Sequence, residues 1–253
     1  GPWARRVGRA ARAARHIVTP SEYSRGRIVE EFGVPADRVT VNPWAADSKC
    51  HKVEDPTELA RVRSAYGIAQ DQGWILAFSG RDPRKNARRI VQAYAVLRPD
   101  LRNRYALVII GLDGEHQNEL QGLAERNGVC RGISLNQFAP EADIAPLLSG
   151  ATVLCYPSLS EGFGLPVLDA FACQTAVLTS NATSLPEVAG DAALLVDPRD
   201  VESIAGGLEQ LLKDEKLRTG LVRCGSKRVM EYTWEACARR LCEVFEHVQA
   251  EGA

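Results

Sequence analysis

The sequence lacks three features that would narrow its class at once. It contains no uninterrupted apolar run near the ~18 residues needed to cross a bilayer, and no secretory signal follows its first residues, GPWARR. Its 31 basic and 32 acidic residues give a net charge of −1, so no surplus of positive charge indicates a nucleic-acid surface. Together these absences favour a cytoplasmic globular protein without a membrane-spanning helix or a nucleic-acid partner.

The cysteines lack the spacing of a metal site or of a disulfide framework. There are 7 of them, an odd number, and no two form a C-x-x-C pair. Cysteines scattered in this way favour free thiols in a reducing compartment. They lie at positions 50, 130, 155, 173, 224, 237 and 242.

Six short apolar runs alternate with segments of helical periodicity. Strands that are apolar on both faces and followed by helices are typical of covered parallel sheets, so the alternation predicts an α/β fold. Right-handed crossovers then give a doubly wound, Rossmann-like sheet of six parallel strands, which binds ligands beyond the carboxyl ends of its strands. The predicted strands are 74–78, 106–110, 132–135, 152–157, 175–179 and 192–196, and the predicted helices between them are 86–97, 115–127, 141–149, 165–173 and 184–189.

Three helix starts carry capping residues. The segment SLPE, Ser184–Glu187, has the pattern of a capping box. Asp200 is placed to cap a helix that begins at Val201, and Thr233 to cap the last helix.

Residues 1–44 do not fit the alternation. Apolar residues recur there every three or four positions between arginines, which predicts an amphipathic basic helix, and a strand, a helix and a second strand follow. We interpret 1–44 as the tail of a mostly missing N-terminal domain, 45–232 as the main domain and 233–253 as a C-terminal helix. The apolar residues of the basic helix are Trp3, Val7, Ala10, Ala14 and Ile17, and its arginines are Arg5, Arg6, Arg9, Arg12 and Arg15.

The stretch SEGFGLPVLDA, residues 160–170, has the composition of an anion site. A helix starting near Leu165 leaves the N–H groups of Phe163, Gly164 and Leu165 without helical partners at its positive end, where phosphate binds well. Gly162 and Gly164 allow a ligand to approach the backbone closely.

Glu161 and Asp169 bracket this stretch. Each carboxylate only accepts hydrogen bonds, so Asp169 is suited to two ribose hydroxyls and Glu161 to the hydroxyls of a sugar. A tight turn with solvated acidic residues near a helix start is the alternative interpretation.

A second candidate site, SGRDPRKN at residues 79–86, follows a predicted strand on the same sheet edge. Arg81, Arg84 and Lys85 place three cations within five residues, and these side chains suit a diphosphate. A solvated turn is again the alternative.

Taken together, these segments resemble the C-terminal half of a retaining, nucleotide-sugar-dependent glycosyltransferase of the GT-B fold, family GT4. The resemblance runs over nearly the whole chain. It rests on SEYSRGRI, FGVPADRVTVNP, DPRKN, YPSLSEGFGLPVLDAFAC, SLPEVAGDAALLVDP and YTWEACA.

The resemblance implies a role for each candidate residue. Glu161 is expected to contact the hydroxyls of the donor sugar, and Asp169 to hold the nucleotide ribose. Lys85 is expected to bind the diphosphate, with Arg81 as the family arginine, so that Glu161, Lys85 and Arg81 form the catalytic set. The backbone that meets sugar and diphosphate comprises Gly162, Phe163, Gly164 and Leu165.

The sequence departs from the family pattern at four places. Asp169 stands where Glu is usual, which shortens the reach to the ribose by one methylene. Gln174 and Ala176 change the usual CGTPV to CQTAV, and the usual Asn-Gly reads Trp44-Ala45. Arg81 and Lys85 are also one residue closer than is common.

The resemblance also implies a mechanism and partners. Transfer passes through an oxocarbenium-like sugar with retention of configuration, and without a metal or other cofactor, which agrees with the lack of a D-x-D segment. The acceptor, a sugar, glycan or lipid-linked molecule as in polysaccharide biosynthesis, belongs to the N-terminal domain, to which the last helix crosses back. We therefore expect this chain alone to bind donor but to transfer no sugar.

Three other functions stay open from the residues alone. A nicotinamide- or flavin-dependent oxidoreductase would use GFGLPV as its phosphate loop, although Val167 stands where a third glycine belongs. A sugar-nucleotide epimerase and a degenerate nucleotide-binding scaffold are the others. The basic N-terminal helix either covers the missing domain or touches an anionic membrane, peripheral to its inner face.

Overall fold

The computed structural model describes the backbone of residues 2–250 and the side chains of residues 5–250. Gly1, residues 251–253 and the Trp3 side chain, which belong to the predicted first and last segments, lie outside the described residues. Within the described part, none of the helices is long and apolar enough to cross a membrane. The cysteines are free thiols, as predicted.

The main sheet confirms the predicted doubly wound α/β fold. Six parallel strands lie in the order β5-β4-β3-β6-β7-β8, and every pairing is parallel. This order reverses direction beside β3, as in Rossmann-type sheets, and ligands bind such sheets where the order reverses. The strands are β3 (Gly73–Phe78), β4 (Tyr105–Ile110), β5 (Ile133–Leu135), β6 (Val153–Tyr156), β7 (Val177–Ser180) and β8 (Leu194–Val196).

The two faces of this sheet bury separate apolar cores. Successive strand residues point to opposite faces, so Leu76 and Val108 pack in one core while Ile75 and Leu107 pack in the other. Helices cover both faces. They are α3 (Pro56–Ala65), α4 (Ala87–Val96), α5 (Pro99–Arg104), α6 (Gly114–Arg126), α7 (Glu141–Gly150), α8 (Leu165–Ala172), α9 (Leu185–Ala189), α10 (Val201–Lys213) and α11 (Glu215–Arg228). The last helix is α12 (Trp234–Ala250).

Two of the predicted caps are confirmed. The Asp200 side chain accepts from the backbone N–H of Glu202 at the start of α10. The Thr233 hydroxyl accepts from the N–H of Ala236 at 3.1 Å, at the start of α12.

The first segment forms its own small sheet, as its sequence predicts. It contains α1 (Pro2–Ala13), β1 (Ile17–Thr19), α2 (Glu22–Phe32) and β2 (Val39–Val41), and β1 pairs with β2, in parallel. The last helix lies against it. Asn42 donates to the carbonyl of Cys237 at 3.0 Å, and Arg240 donates to that of Val41 at 3.2 Å. The domain boundaries at 44 and 232 stay predictions.

Candidate functional site

The loops after β3 and β6 lie side by side at the carboxyl edge of the sheet. Asn86 fixes the first loop: it is buried, has a left-handed φ of 65°, and donates to the carbonyls of Pro157 and Pro198 at 2.9 and 2.7 Å. The N–H of Leu159 also donates to the carbonyl of Arg84 at 2.7 Å. The two candidate sites of the sequence therefore share one edge.

Lys85 and Glu161 meet between these loops. Lys85 Nζ donates to Glu161 Oε1 at 2.8 Å and to the Tyr156 hydroxyl at 2.5 Å. That hydroxyl in turn donates to the same Glu161 oxygen at 2.7 Å. The side chains of Lys85 and Glu161 are 27% and 16% exposed, so the pair is half-buried and still partly accessible from solvent.

This arrangement leaves hydrogen-bonding capacity for a ligand. An ammonium has three donors and a carboxylate two oxygens, and both bonds to Glu161 fall on Oε1. One Lys85 donor and Glu161 Oε2 thus have no bond to the described residues. Burial and the Glu161 carboxylate both raise the pKa of Tyr156, so its hydroxyl keeps its proton and stays a donor.

The helix α8 begins at Leu165, as predicted, with Pro166 in its first turn. Gly164 precedes it with φ 131° and ψ 47°, and no side chain of the described residues caps the helix start. Phe163 anchors the loop, because its ring packs edge-on against both Trp44 and Tyr232 with centroids 5.9 Å apart. The backbone N–H groups of the loop therefore lie at the positive end of a short helix, beside the Lys85–Glu161 pair.

The prediction of a capping box at Ser184–Glu187 is wrong. Ser184 itself has helical dihedrals, and its side chain makes no cap hydrogen bond. Its hydroxyl lies 2.7 Å from the carbonyl of Phe163 and 3.0 Å from that of Glu161. Glu187 instead accepts from the N–H groups of Glu22 and Tyr23, at 2.9 and 3.2 Å. Tertiary partners replaced the local ones that the pattern indicates.

Asp169 lies one turn into α8 and is half-buried. It accepts from the N–H of Asp47 at 2.9 Å, and burial raises its pKa to about 6. A cavity of about 280 Å³ opens beside it, lined by Ala45, Asp47, Ser48, Leu165, Asp169 and Trp234. Because Leu165 is also the first residue of α8, this cavity lies next to residues 161–164, which we call the glycine loop.

The structure does not place Arg81 beside Lys85 and Glu161. Its side chain is 85% exposed and pairs with Asp113, with Nε 2.6 Å from Oδ2. The His116 backbone N–H, the His116 ring and Arg81 hold the pKa of Asp113 down at about 2. Arg84 forks onto Asp82. Of the three cations in this loop, Lys85 alone bonds to Glu161 among the described residues.

Four residues that contact the glycine loop carried no predicted role. Tyr156 bridges Lys85 and Glu161, and Thr183 Oγ1 accepts from the N–H of Glu161 at 3.1 Å. Ser21 and Ser24 both donate to the carbonyl of Gly162, at 2.7 and 3.0 Å. Their segment, SEYS, is part of the family resemblance, and that is the only sequence signal that points to them.

Comparisons with known proteins agree with this geometry. The family model of glycosyl transferases group 1 matches residues 61–228. The chain is 36% identical over 234 residues to the O-antigen chain mannosyltransferase B of Escherichia coli, covering 92% of this chain and 61% of that protein. It is 30% identical over 250 residues to the MMP alpha-(1->4)-mannosyltransferase of Mycolicibacterium hassiacum, covering 97% of this chain and 57% of that protein.

Solved structures share the fold. The Anabaena protein Alr3699/HepE, in complex with UDP and glucose, superposes with a TM-score of 0.85 at 19% identity, covering 96% of this chain and 66% of that one. The chain thus spans only part of the length of the proteins that it matches.

Proposed function

The chain belongs to the glycosyl transferases group 1 family, and from this premise we propose that it forms the donor site of a retaining, GT-B-fold glycosyltransferase. The ligand is a nucleoside-diphosphate sugar. The observation that carries the proposal is the half-buried Lys85–Glu161 pair, 2.8 Å apart, beside the uncapped start of α8.

Each group has a separate task in this proposal. Negative charge develops on the diphosphate as it leaves the sugar, and donors that are already oriented stabilise such charge most. Lys85 supplies its remaining N–H and its charge, while the loop amides supply neutral donors. Glu161 accepts from the sugar hydroxyls through Oε2, and Tyr156 holds Oε1 in place. Asp169 accepts from the ribose beside its cavity. The site uses no metal in this proposal.

We further propose that the transferred sugar is mannose and the acceptor a glycan. The names of two relatives, an O-antigen chain mannosyltransferase and an alpha-(1->4)-mannosyltransferase, support this choice. The protein Alr3699/HepE was solved with UDP and glucose instead, at 19% identity, so a glucosyl donor is the alternative to test.

The exposed arginines of α1, among them Arg5, Arg9 and Arg12, support a cytoplasmic protein that touches an anionic membrane surface. Co-sedimentation with anionic vesicles tests this part of the proposal. Equal binding to anionic and neutral vesicles, or no binding to either, would refute it.

A thermal-shift screen tests the donor proposal. The chain is heated with GDP-mannose, UDP-glucose, ADP-glucose or dTDP-glucose, since ligands that bind only the folded state raise its stability by about 2.7 kcal/mol at ~100 times Kd. We expect GDP-mannose to give the largest shift. Stabilisation by none of the four would refute the proposal and favour a degenerate scaffold, and interconversion of free donors without acceptor would favour an epimerase.

Two variants tie any shift to this site. Lys85→Ala should lose about 1.5–3 kcal/mol of binding free energy, the range for a hydrogen bond to a charged group. Arg84→Ala is the matched control, because its guanidinium is occupied by Asp82 in the same loop. Equal affinities of Lys85→Ala and the unmodified chain would remove Lys85 from the site.

A further inference from the structure

Serine hydroxyls contact three consecutive carbonyls of the glycine loop. The single proton of the Ser184 hydroxyl is shared between the carbonyls of Phe163 and Glu161, at 2.7 and 3.0 Å, while Ser21 and Ser24 each donate to that of Gly162. We propose that Ser21 and Ser24 are positioning residues, which orient the loop amides for the donor diphosphate from outside the main domain. This inference rests on the proposed donor function.

The physical reason lies in the planarity of the peptide. In a trans peptide unit the C=O and the following N–H point in opposite directions within one plane. A carbonyl that is held therefore fixes the direction of the next N–H. The Gly162 carbonyl, which accepts from two hydroxyls, thus fixes the N–H of Phe163, and the carbonyls of Phe163 and Glu161 restrain the N–H groups of Gly164 and Gly162 through Ser184.

This loop needs such restraint. Gly162 and Gly164 lack the Cβ atoms that limit backbone rotation, and no side chain caps the helix start that they precede. Oriented donors stabilise a charge without reorganising when it forms, so holding the amides favours diphosphate binding. Ser184 has one proton for the two outer peptide units, whereas the middle one receives two hydroxyls, from Ser21 and Ser24.

The two serines are themselves held firmly. Ser21 is fully buried, and its hydroxyl oxygen also caps α2 by accepting from the N–H of Ser24 at 3.1 Å. The Glu187 carboxylate accepts from the next two N–H groups at the start of α2. A carboxylate at a helix N-terminus is favourable. The start of α2 is thereby fixed to the main domain at the point where it meets the loop.

Ser21 and Ser24 lie outside the 61–228 range of the family model. Their contact with Gly162 spans 141 and 138 residues of sequence. They belong to the first segment, whereas the loop belongs to the six-stranded unit. The inference therefore assigns the first segment a direct part in shaping the donor site.

The test compares GDP and GMP binding by calorimetry, since the two nucleotides differ by the second phosphate. We expect the double variant Ser21→Ala/Ser24→Ala to weaken GDP about 10-fold, which corresponds to about 1.4 kcal/mol, and GMP less than about twofold. Ser226→Ala, whose hydroxyl bonds within α11, is the matched control and should bind both as the unmodified chain does.

Two further variants keep the inference testable if the double variant does not fold. Ser24→Ala removes one half-buried hydroxyl and should weaken GDP about threefold, while Ser24→Thr keeps the hydroxyl and should restore binding. Unchanged GDP affinity in the alanine variants, equal loss of GDP and GMP, or a Thr variant as weak as Ala would overturn the inference. If the unmodified chain binds no nucleotide at all, the proposed function has failed instead.

Discussion

At the scale of residues, one carboxylate oxygen, Glu161 Oε1, organises the site through its bonds to Lys85 and Tyr156. Glu161 Oε1 accepts from both the ammonium and the phenol, so the carboxylate is held while Oε2 has no hydrogen bond to the described residues. A half-buried charge without a partner is costly, and the pair neutralises itself within the protein. A diphosphate that binds Lys85 therefore shares it with Glu161.

Asp169 predicts a pH dependence of donor binding. Burial raises its pKa to about 6 from the ordinary value of 3.8, and the ionised form is the stronger acceptor for the ribose hydroxyls. The affinity for GDP-mannose should thus fall as the pH drops through about 6, by up to about tenfold per pH unit. The nucleotide sugar is the right probe, because the terminal phosphate of free GDP would itself titrate at about pH 6.

The isosteric variant Asp169→Asn is the control for this prediction. It should bind weakly, with an affinity that does not change over the same pH range. A raised carboxyl pKa also means that the folded state holds its proton more tightly than the unfolded state. The contribution of Asp169 to stability is therefore most favourable at low pH and declines as the pH rises from about 4 to about 6. If the affinity of the unmodified chain for GDP-mannose did not change with pH, or if that of Asp169→Asn changed with the same midpoint, the assignment of Asp169 to the ribose would be contradicted.

At the scale of elements, the two glycines before α8 differ in how well they would accept a side chain. Gly164 has φ 131°, and a Cβ there would lie 2.7 Å from Leu185 Cδ2. A Cβ on Gly162 would have Ser24 Oγ as its nearest neighbour, at 3.6 Å. The two glycines are therefore a matched pair, of which only Gly164 requires glycine.

Gly164→Ala should lower the free energy of unfolding by about 1–3 kcal/mol, the cost of a strained backbone conformation, and should weaken donor binding as the loop shifts. Gly162→Ala should cost less than about 1 kcal/mol. Urea unfolding measures both. Equal destabilisation of the two variants would show that the conformation of Gly164 does not set the start of α8.

Much of the secondary structure, and the pairing at the centre of the site, could be predicted from the sequence. The apolar strands and the helix start at Leu165 follow from local patterns, and the closeness of Lys85 and Glu161 follows from the parallel sheet. Helix α11 was missed because it buries only Gly225 and so has little apolar periodicity. The helices α3 and α5 were also not predicted. The bond of Ser21 to Gly162 and the pairing of Arg81 with Asp113 join distant segments, and no local pattern encodes such pairings.

At the scale of the whole molecule, the first segment is fixed to the main unit from two sides. Ser21, Ser24 and Glu187 join α2 to the glycine loop and to α9. On the other side α12 contacts the chain just after β2, and Trp234 donates to the carbonyl of Ala46 at 2.9 Å. The linker that carries Asp47 thus lies between α12 and Asp169. Both ends of the chain contribute to the surroundings of the donor site.

The most direct measurement is a crystal structure of the chain with the nucleotide sugar that stabilises it most. We expect diphosphate oxygens within hydrogen-bond distance of Lys85 Nζ and of at least one backbone N–H between Gly162 and Leu165, with the sugar against Glu161. An ordered diphosphate bound elsewhere, with the Lys85–Glu161 pair untouched, would contradict the central claim.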